Sequence, residues 1–293
     1  MDQLSRRNFL KTGLAVGTIA SVGNLPLQAE RSAATDMVTL GKSDIKVTRL
    51  AFGTGSNNGH IQANLGQAEF TKLVRHAYDR GIRFFETAEA YATPAMLGEA
   101  LKGLPRDSYR LMTKVTTDEG VDPMKRFDEM RKISNTDYFD IMLLHYQHTP
   151  TWVADTANWK DGVMEAESKK IILSHGASVH GLPALRQVPG DTWLQIAMIR
   201  MNHKGAVMDA ENYATRGLGD VPEVVKHVKQ VRKEGMGVIS MKLVGNGQFV
   251  NRDDRQKAMK FAFQHAGVDC VTVGCKSTAE VDEAIENINM AFA

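Results

Sequence analysis

The chain has 293 residues, enough for one large domain, and 43% of them are hydrophobic, enough for a full core. Its formal net charge is only +2, which gives no indication of a nucleic-acid surface. Beyond the N-terminal leader, no stretch reaches the ~18 uninterrupted apolar residues of a membrane span. Composition therefore favours a globular domain, with no nucleic-acid partner and no membrane span in the mature chain.

The first residues of the chain differ in kind from the rest. The pair Arg6-Arg7 is followed by Phe-Leu-Lys, a weakly hydrophobic run, and small residues around Ala29 and Ala34. A basic segment, a short apolar segment and small residues near a cleavage point make a secretory signal. The arrangement resembles the twin-arginine (Tat) signal, whose machinery exports folded proteins. We therefore predict a signal peptide and flexible leader over 1–36, cleaved after Ala29 or Ala34, with the Tat machinery as a partner and the periplasm, or another exported location, as the destination.

From residue 37 onward, a short hairpin pattern with its turn at 41–44 is followed by alternating strand and helix patterns. Strands read as short apolar runs, and helices as apolar residues spaced three and four apart. The predicted strands are 50–52, 81–86, 111–115, 139–145, 171–176, 192–198, 237–241 and 270–273, and the main predicted helices are 70–78, 97–101, 124–134, 159–169, 182–186, 221–233, 255–265 and 278–290.

This alternation of strands and helices predicts an α/β fold. Strand–helix repeats favour a parallel sheet, and eight of them favour closure into a (β/α)8 TIM barrel, here over 37–293 with a short N-terminal hairpin. An open, doubly wound sheet is the competing architecture. The barrel is preferred because no Gly-x-Gly-x-x-Gly opens the first strand–helix turn.

Chemically active side chains stand where the second, third and fourth predicted strands end. Glu86 and Tyr91 follow the second strand, Lys114 ends the third and His145 ends the fourth. In a barrel these ends converge on one face. A lysine at an inward position needs a carboxylate to neutralise it, and Glu86 is the nearest candidate. We expect the lysine in turn to lower the pKa of the phenol, ordinarily ~10, and so to make Tyr91 a usable general acid.

These residues and their order resemble the active site of the aldo-keto reductases. Tyr91, Lys114 in Met-Thr-Lys-Val and His145 in Asp-Ile-Met-Leu-Leu-His fall at the family's catalytic Tyr, Lys and His, and Glu86 stands where the family has Asp. The run 97–101, Leu-Gly-Glu-Ala-Leu, supports the likeness, which covers about 38–290. The resemblance implies an NAD(P)H-dependent oxidoreductase that reduces aldehyde or ketone carbonyls of small molecules to alcohols, with Tyr91 as proton donor.

The resemblance also implies a nicotinamide cofactor, NADP(H), with NAD(H) as the alternative. The glycine-containing loop after strand seven would let backbone N–H groups approach the pyrophosphate. Lys276, at a helix start after strand eight, could pair with a 2′-phosphate. The family's Gly-x-Ser-Asn turn has Val179 in place of Asn, and its helical Glu-Asn pair reads Glu283-Ala284, so that Asn is missing. The implied cofactor contacts are Gly53, Thr54, Ser178, Gln195, Lys242, Gly245, Gly247, Gly274, Lys276, Ser277 and Glu283.

Two other functional classes stay open. Glu86 in place of Asp, and export to a compartment without free NADPH, also fit a barrel that binds a nicotinamide cofactor or another ligand but is catalytically weak, as an accessory or binding protein. An isomerase or lyase on the same barrel is a third hypothesis, and absence of nicotinamide binding would distinguish it. The substrate-determining loops carry no recognisable specificity pattern.

No metal site is predicted. His148, His175 and His180 lack zinc-site spacing on a helix, although His180 could line the substrate mouth. The only cysteines, Cys270 and Cys275, are too few for a four-cysteine zinc site. They straddle a predicted strand end, which separates them beyond disulfide reach, so both are expected to be free thiols.

Overall fold

The computed structural model describes residues 33–212 and 218–293. Its strands are β1 (Met37–Thr39), β2 (Lys46–Thr48), β3 (Leu50–Gly53), β4 (Phe84–Glu86), β5 (Arg110–Val115), β6 (Ile141–Gln147), β7 (His175–Val179), β8 (Ile196–Arg200), β9 (Gly237–Met241) and β10 (Cys270–Gly274). The strands β3 to β10 are parallel and close into a barrel, whereas β1 and β2 form an antiparallel hairpin. The predicted (β/α)8 barrel with its N-terminal hairpin is thus confirmed.

The helices cover the outside of the barrel. They are α1 (His60–Ala63), α2 (Gly66–Asp79), α3 (Pro94–Leu101), α4 (Pro123–Ile133), α5 (Trp152–Asp155), α6 (Ala157–Ser168), α7 (Leu182–Leu185), α8 (Val221–Lys233), α9 (Arg252–Lys260), which continues into a π-helical turn (Phe261–Ala266), and α10 (Thr278–Phe292). In α2 the buried residues recur at helical spacing, as Phe70, Leu73, Val74 and Ala77. Gly81, with φ 94°, follows the end of α2 in a left-handed conformation that favours glycine.

The hairpin closes one end of the barrel. Alternate residues of each strand face inward, and Ala51, Phe84 and Met112 belong to the resulting interior cluster. Leu40 and Val47, at the hairpin, are fully buried in the same cluster. The N-terminal ends of the barrel strands are therefore covered, and the C-terminal ends remain available for a site.

Residues 33–36, which the sequence placed in the leader, pack on the barrel. Ala33–Thr35 form a 3-10 turn, and the N–H of the fully buried Ala34 donates to Asn289 Oδ1 on α10 at 3.0 Å. Cleavage after Ala29 would keep this contact, whereas cleavage after Ala34 would remove it. Residues 1–32 lie outside the described residues, so the Tat leader stays a prediction.

The fifth and sixth barrel strands, β7 and β8, begin later than the sequence predicted. Before β8, the Asp191 carboxylate accepts the N–H groups of Trp193 and Leu194 at 2.8 and 3.1 Å. This turn holds the apolar run that precedes β8 outside the sheet. The strands accordingly end later too, at Val179 and Arg200. The shift changes which side chains reach the open end of the barrel.

Within the described residues, no helix combines the length and apolar character needed to cross a bilayer.

The two cysteines are free thiols, as the sequence predicts. Cys270 lies in β10 and Cys275 follows it, and both side chains are buried.

Candidate active site

The predicted catalytic residues meet at the C-terminal mouth of the barrel. Glu86 is the last residue of β4, Lys114 lies in β5 and His145 in β6, while Tyr91 lies in the loop between β4 and α3. These are neighbouring strands, paired in parallel. Each of three predicted catalytic residues follows an inward-facing core residue by two positions on its strand: Glu86, Lys114 and His145. Alternate residues of a strand share a face, so these three side chains also point into the barrel, at its C-terminal end.

Lys114 and Glu86 form a buried ion pair, only 1% and 3% exposed. Lys114 Nζ contacts Glu86 Oε1 and also donates to the Thr87 carbonyl at 2.8 Å. The other carboxylate oxygen, Oε2, accepts from Thr272 Oγ1 at 3.2 Å. Burial lowers the pKa of Lys114, and the Glu86 carboxylate opposes that shift. Glu86 therefore forms the ion pair with Lys114, although the aldo-keto reductases have an aspartate at this position.

Two glycines of the Phe-Gly-Thr-Gly run make room for this group. A Cβ on Gly53 would lie 2.5 Å from Thr272 Oγ1 and 3.0 Å from Glu86 Oε2. A Cβ on Gly55 would lie 2.5 Å from Cζ of Tyr91. Such distances are too short for a real side chain, so Gly53 lets β3 approach the carboxylate closely, and Gly55 lets the loop after β3 approach the phenol.

The Tyr91 phenol is held in its protonated form. Loss of hydration raises its pKa well above 10, and the Glu86 carboxylate raises it further. Lys114 Nζ lies 4.7 Å from the centre of the Tyr91 ring, but the loss of hydration and the Glu86 carboxylate outweigh its charge. The expectation that Lys114 would lower the pKa of this phenol is therefore wrong for the protein without its ligands.

His145 is held as a neutral imidazole. Burial lowers its pKa to about 3, and the charges of Lys114 and Lys242 contribute. Its ring stands edge-on to Tyr91, with centroids 5.7 Å apart, and its Nδ1 has no hydrogen-bond partner in the part of the chain that the structure describes. A neutral imidazole next to a phenol can orient a substrate oxygen without carrying a charge.

A cavity of about 470 Å³ extends from Tyr91 and Glu86 across the ends of β9 and β10 to α10. Its volume lies in the range of small-molecule and cofactor sites. Six of the predicted cofactor residues line it: Gly53, Lys242, Gly247, Gly274, Lys276 and Glu283.

The loop after β9 forms one wall of this cavity. Lys242, Asn246 and Gly247 have φ of 59°, 53° and 93°, so the backbone turns through left-handed conformations. Nothing would obstruct a Cβ at Gly247, so its backbone is open to a ligand. Lys242 Nζ donates to Asn246 Oδ1 at 3.3 Å, and burial followed by the charge of Arg200 lowers the pKa of Lys242. The wall thus presents a cation and accessible backbone.

The opposite wall is the first half of α10. Glu283 accepts two hydrogen bonds from Arg255, at 2.6 and 2.8 Å. Asn287, one turn further along, donates from Nδ2 to Glu283 Oε1 at 3.2 Å, while its buried Oδ1 has no partner within residues 33–212 and 218–293. The missing Asn of the Glu-Asn pair thus has a counterpart four residues later on the same helix face. Helical spacing could have identified Asn287, but Arg255 gave no such signal.

Four other predicted cofactor residues do not line the cavity. Thr54 donates to the Glu86 carbonyl at 3.0 Å, and Ser178 Oγ accepts the Tyr146 N–H at 3.1 Å. Gly245 backs onto Phe249, and Ser277 caps α10 by accepting the N–H of Glu280. The structure therefore places these four in supporting positions: Thr54, Ser178, Gly245 and Ser277.

Gln195 lies at the wrong end of the barrel for a cofactor contact. Its Oε1 accepts from Ser174 Oγ at 2.6 Å and from the His175 N–H at 3.3 Å, at the N-terminal ends of β7 and β8. The prediction is wrong because β8 begins one residue after Gln195. The side chains of β8 nearest the mouth are instead Met198, which lines the cavity, and Arg200.

No group of three or more His, Cys, Asp or Glu side chains that could hold a metal ion occurs within residues 33–212 and 218–293. The histidines considered in the sequence have other surroundings. His175 contacts Glu167 Oε2 at 2.7 Å and the Trp193 carbonyl at 2.8 Å, whereas His180 contacts Arg200.

Comparison with known proteins identifies the family. The model of the aldo/keto reductase family matches residues 49–290. L-galactose dehydrogenase of Arabidopsis thaliana is 32% identical over 121 residues, 38% of each chain. Methylglyoxal reductase DkgA of Escherichia coli O157:H7 is 27% identical over 147 residues, 46% of this chain and 53% of that protein. The chain spans less than two thirds of the length of these relatives.

Solved structures share the fold at lower identity. The aldo-keto reductase of Bacillus halodurans, in its holo form, superposes with a TM-score of 0.68 at 18% identity, covering 86% of this chain and 90% of that one. An aldo-keto reductase from Klebsiella pneumoniae in complex with NADPH gives 0.66 at 16%, covering 87% and 89%. The family-model match over most of the barrel shows that the chain belongs to the aldo/keto reductase family.

Proposed function

We propose that the protein is an NADP(H)-dependent oxidoreductase that reduces aldehyde or ketone carbonyls of small molecules to alcohols. One observation carries the proposal. A protonated phenol, Tyr91, lies between the Lys114–Glu86 ion pair and the neutral His145, at the inner end of a cavity large enough for an extended ligand. Family membership supports the same reaction class.

The residues of the cavity fit a dinucleotide. Gly247 offers open backbone, Lys242 a cation, and the N-terminus of α10 a favourable environment for phosphate. The unpartnered Asn287 Oδ1 offers a buried acceptor at the far end. Lys276 lines the same end and supports NADP(H) over NAD(H). When bound, the nicotinamide would supply a hydride to the substrate carbonyl carbon.

The side chains at the inner end can handle the proton. In reduction, the carbonyl oxygen gains negative charge and needs a proton, which the Tyr91 hydroxyl would donate. The raised pKa keeps this hydroxyl protonated at neutral pH. Lys114, 4.7 Å from the ring centre, would stabilise the phenolate that remains, and Glu86 holds Lys114 in place. His145 would donate a hydrogen bond to the same oxygen and orient it.

The test is NADPH oxidation by the purified protein with a panel of aldehydes and quinones. Substitution Tyr91→Phe removes the proton donor and is expected to lower kcat by roughly 10²- to 10⁴-fold. The matched control is Tyr78→Phe, because the Tyr78 hydroxyl bonds Ser108 Oγ at 2.9 Å, outside the site.

The outcomes separate the three hypotheses. No oxidation by the wild type, or undiminished oxidation by Tyr91→Phe, would contradict the proposal. A nicotinamide cofactor that co-purifies with the protein and never turns over would support the binding or accessory alternative. Absence of any nicotinamide binding would support an isomerase or lyase.

We also propose that the chain is exported in its folded state by the Tat machinery. The support is the leader sequence, in which Arg6-Arg7 precedes Phe-Leu-Lys and a short apolar run. Folded export would let the protein carry NADP(H) from the cytoplasm to the periplasm.

A further inference from the structure

A second polar cluster lies beside the proposed catalytic residues. Arg200 ends β8, His180 follows β7, and Asp209 lies in the loop after β8. Their side chains are buried, with residue exposures of 6%, 6% and 0%. Arg200 Nη2 contacts His180 Nδ1, and Arg200 Nε lies 3.6 Å from Asp209 Oδ1. Asp209 is fixed in turn by the N–H of Gly181, at 2.7 Å.

The contact with Arg200 determines the tautomer of His180. A guanidinium has only donors, so Nδ1 of the imidazole must accept. The ring proton of a neutral His180 therefore resides on Nε2. The ring is neutral because burial, and then the charge of Arg200, lower the pKa of His180 well below its usual value.

The Nε2–H of His180 is a buried donor with no partner among the described residues. An unsatisfied buried donor costs about 1–3 kcal/mol, and such groups are rare without a functional reason. Arg200 Nε and Asp209 Oδ2 are also buried without hydrogen-bond partners. Within the described residues, the cluster therefore holds a buried donor that no side chain satisfies.

The cluster is adjacent to the proposed catalytic residue His145. The centroid of the Tyr146 ring lies 6.4 Å from that of His145 and 4.5 Å from that of His180, so Tyr146 contacts both imidazoles. Met198, two residues before Arg200 on the same face of β8, lines the main cavity. Ser178 pairs with Met198, so His180 and Arg200, each two residues further on, lie at the same level toward the C-terminal ends of β7 and β8.

The local charge favours an anion. Three cations act on His180, namely Arg200, Lys242 and Lys114. Among the described residues, the carboxylates paired with them are Glu86, on Lys114, and Asp209, on Arg200. Lys242 bonds the neutral Asn246. These five charged side chains leave an excess of one positive charge, and water-poor surroundings strengthen its field.

We propose that His180 Nε2–H, supported by Arg200, forms a substrate subsite for a carboxylate. The preferred substrates would then be aldehydes or ketones that carry a carboxylate. This substrate class rests on the proposed carbonyl reduction. Arg200 is a positioning residue here, since it acts through His180, whereas His180 would touch the substrate.

The experiment compares acids with their neutral methyl esters, which keep the carbonyl and remove the charge. The probes are 4-oxobutanoate and 2-carboxybenzaldehyde, each beside its methyl ester, with the intact protein and NADPH. We expect kcat/KM to favour the acid by about 10- to 100-fold, the range of a hydrogen bond to a charged group. Substitution His180→Phe should reduce this acid-to-ester ratio by about tenfold or more, chiefly through KM for the acid.

Two variants control for folding and for ring size. His180→Gln keeps an N–H donor near the position of Nε2 and should restore part of the acid preference. His265→Phe makes the same replacement on an exposed histidine that stacks on Phe261, and it should leave the ratio unchanged. Thermal unfolding of each variant verifies the fold.

Two results would overturn the carboxylate subsite. One is a wild type that reduces each ester as well as its acid, and the other is an acid preference that survives His180→Phe. Failure of the carbonyl reductase itself is distinct, because it would abolish NADPH oxidation with both members of each pair.

Discussion

A single methylene distinguishes Glu86 from the aspartate that the family resemblance led us to expect. The longer side chain still meets Lys114, because Gly53 leaves space beside Oε2 and Thr272 binds that oxygen. The extra length is thus accommodated by the absence of a Cβ on the neighbouring strand. A glutamate at position 86 therefore requires a residue without a Cβ at position 53.

We expect Glu86→Asp to destabilise the protein. The shortened carboxylate would withdraw from Lys114 and Thr272 and leave a buried ammonium less well paired, at a cost of about 1–3 kcal/mol. Urea unfolding measures the free energy directly. The control is Glu99→Asp, which shortens an exposed glutamate 3.6 Å from Lys102 and should change stability by less than about 0.5 kcal/mol. If Glu86→Asp and Glu99→Asp unfolded with the same urea midpoint and the same slope, the contacts of Glu86 would not contribute to stability.

Single residues differ in how far the sequence alone identifies them. Tyr91, Lys114 and His145 could be selected because their chemistry and their positions after strand patterns are local properties. The position of Gln195 cannot be predicted from local patterns, because it depends on where β8 begins, which is set by the turn at Asp191. The pKa of Tyr91 cannot be predicted from them either, because the loss of hydration and the effect of the Glu86 carboxylate are properties of the packed site.

At the scale of elements, the loop after β8 connects the exits of three strands. Asn202 donates to the Ala206 carbonyl at 2.7 Å and to the Lys242 carbonyl at 3.2 Å, after β9. Asp209 accepts the N–H of Gly181, after β7, and faces Arg200 at the end of β8. Sequence patterns cannot show such links, because each joins residues that are distant along the chain.

The titration of Asp209 should modulate the proposed carboxylate subsite. Burial raises the pKa of Asp209 to about 6, and the charge of Arg200 opposes the shift. Above pH 6 the carboxylate offsets the charge of Arg200, and below pH 6 the protonated acid does not. His180 stays neutral because its pKa is lowered, and Arg200 stays charged. The acid-to-ester ratio of kcat/KM should therefore rise as pH falls from about 7.5 to about 5.5.

The variant Asp209→Asn tests the source of that pH dependence. Its neutral amide cannot offset Arg200 at any pH, so the acid preference should be high and flat across the same interval. A ratio that falls with decreasing pH in the wild type, or an unchanged profile in Asp209→Asn, would contradict the assignment. Because the methyl ester undergoes the same hydride transfer, dividing kcat/KM for the acid by kcat/KM for the ester at each pH cancels the pH dependence of that step.

At the scale of the whole molecule, eight alternating units sufficed to predict the barrel because each unit carries its own periodicity. Closure then follows from parallel pairing, since the last strand, β10, meets the first, β3. The hairpin residues Leu40 and Val47 cover the N-terminal end, which directs ligand access to the other end. What the sequence could not provide is the register near the mouth, where one or two residues decide which side chains face the cavity.

The proposed export makes a prediction that depends on the whole fold. Arg6→Lys with Arg7→Lys keeps the positive charge of the leader but removes the twin-arginine pattern, so we expect the protein to remain in the cytoplasm. Leu143→Asp places an unpaired carboxylate in the fully buried barrel interior and should prevent folding. Because the Tat machinery accepts folded proteins, this variant should also fail to reach the periplasm despite its intact leader. Fractionation of cells expressing each form would measure both effects, with Met164→Gln, on the exposed face of α6, as a control that is exported normally. Export of the Leu143→Asp chain would instead indicate a route for unfolded proteins, and the protein could then not carry its own cofactor across the membrane.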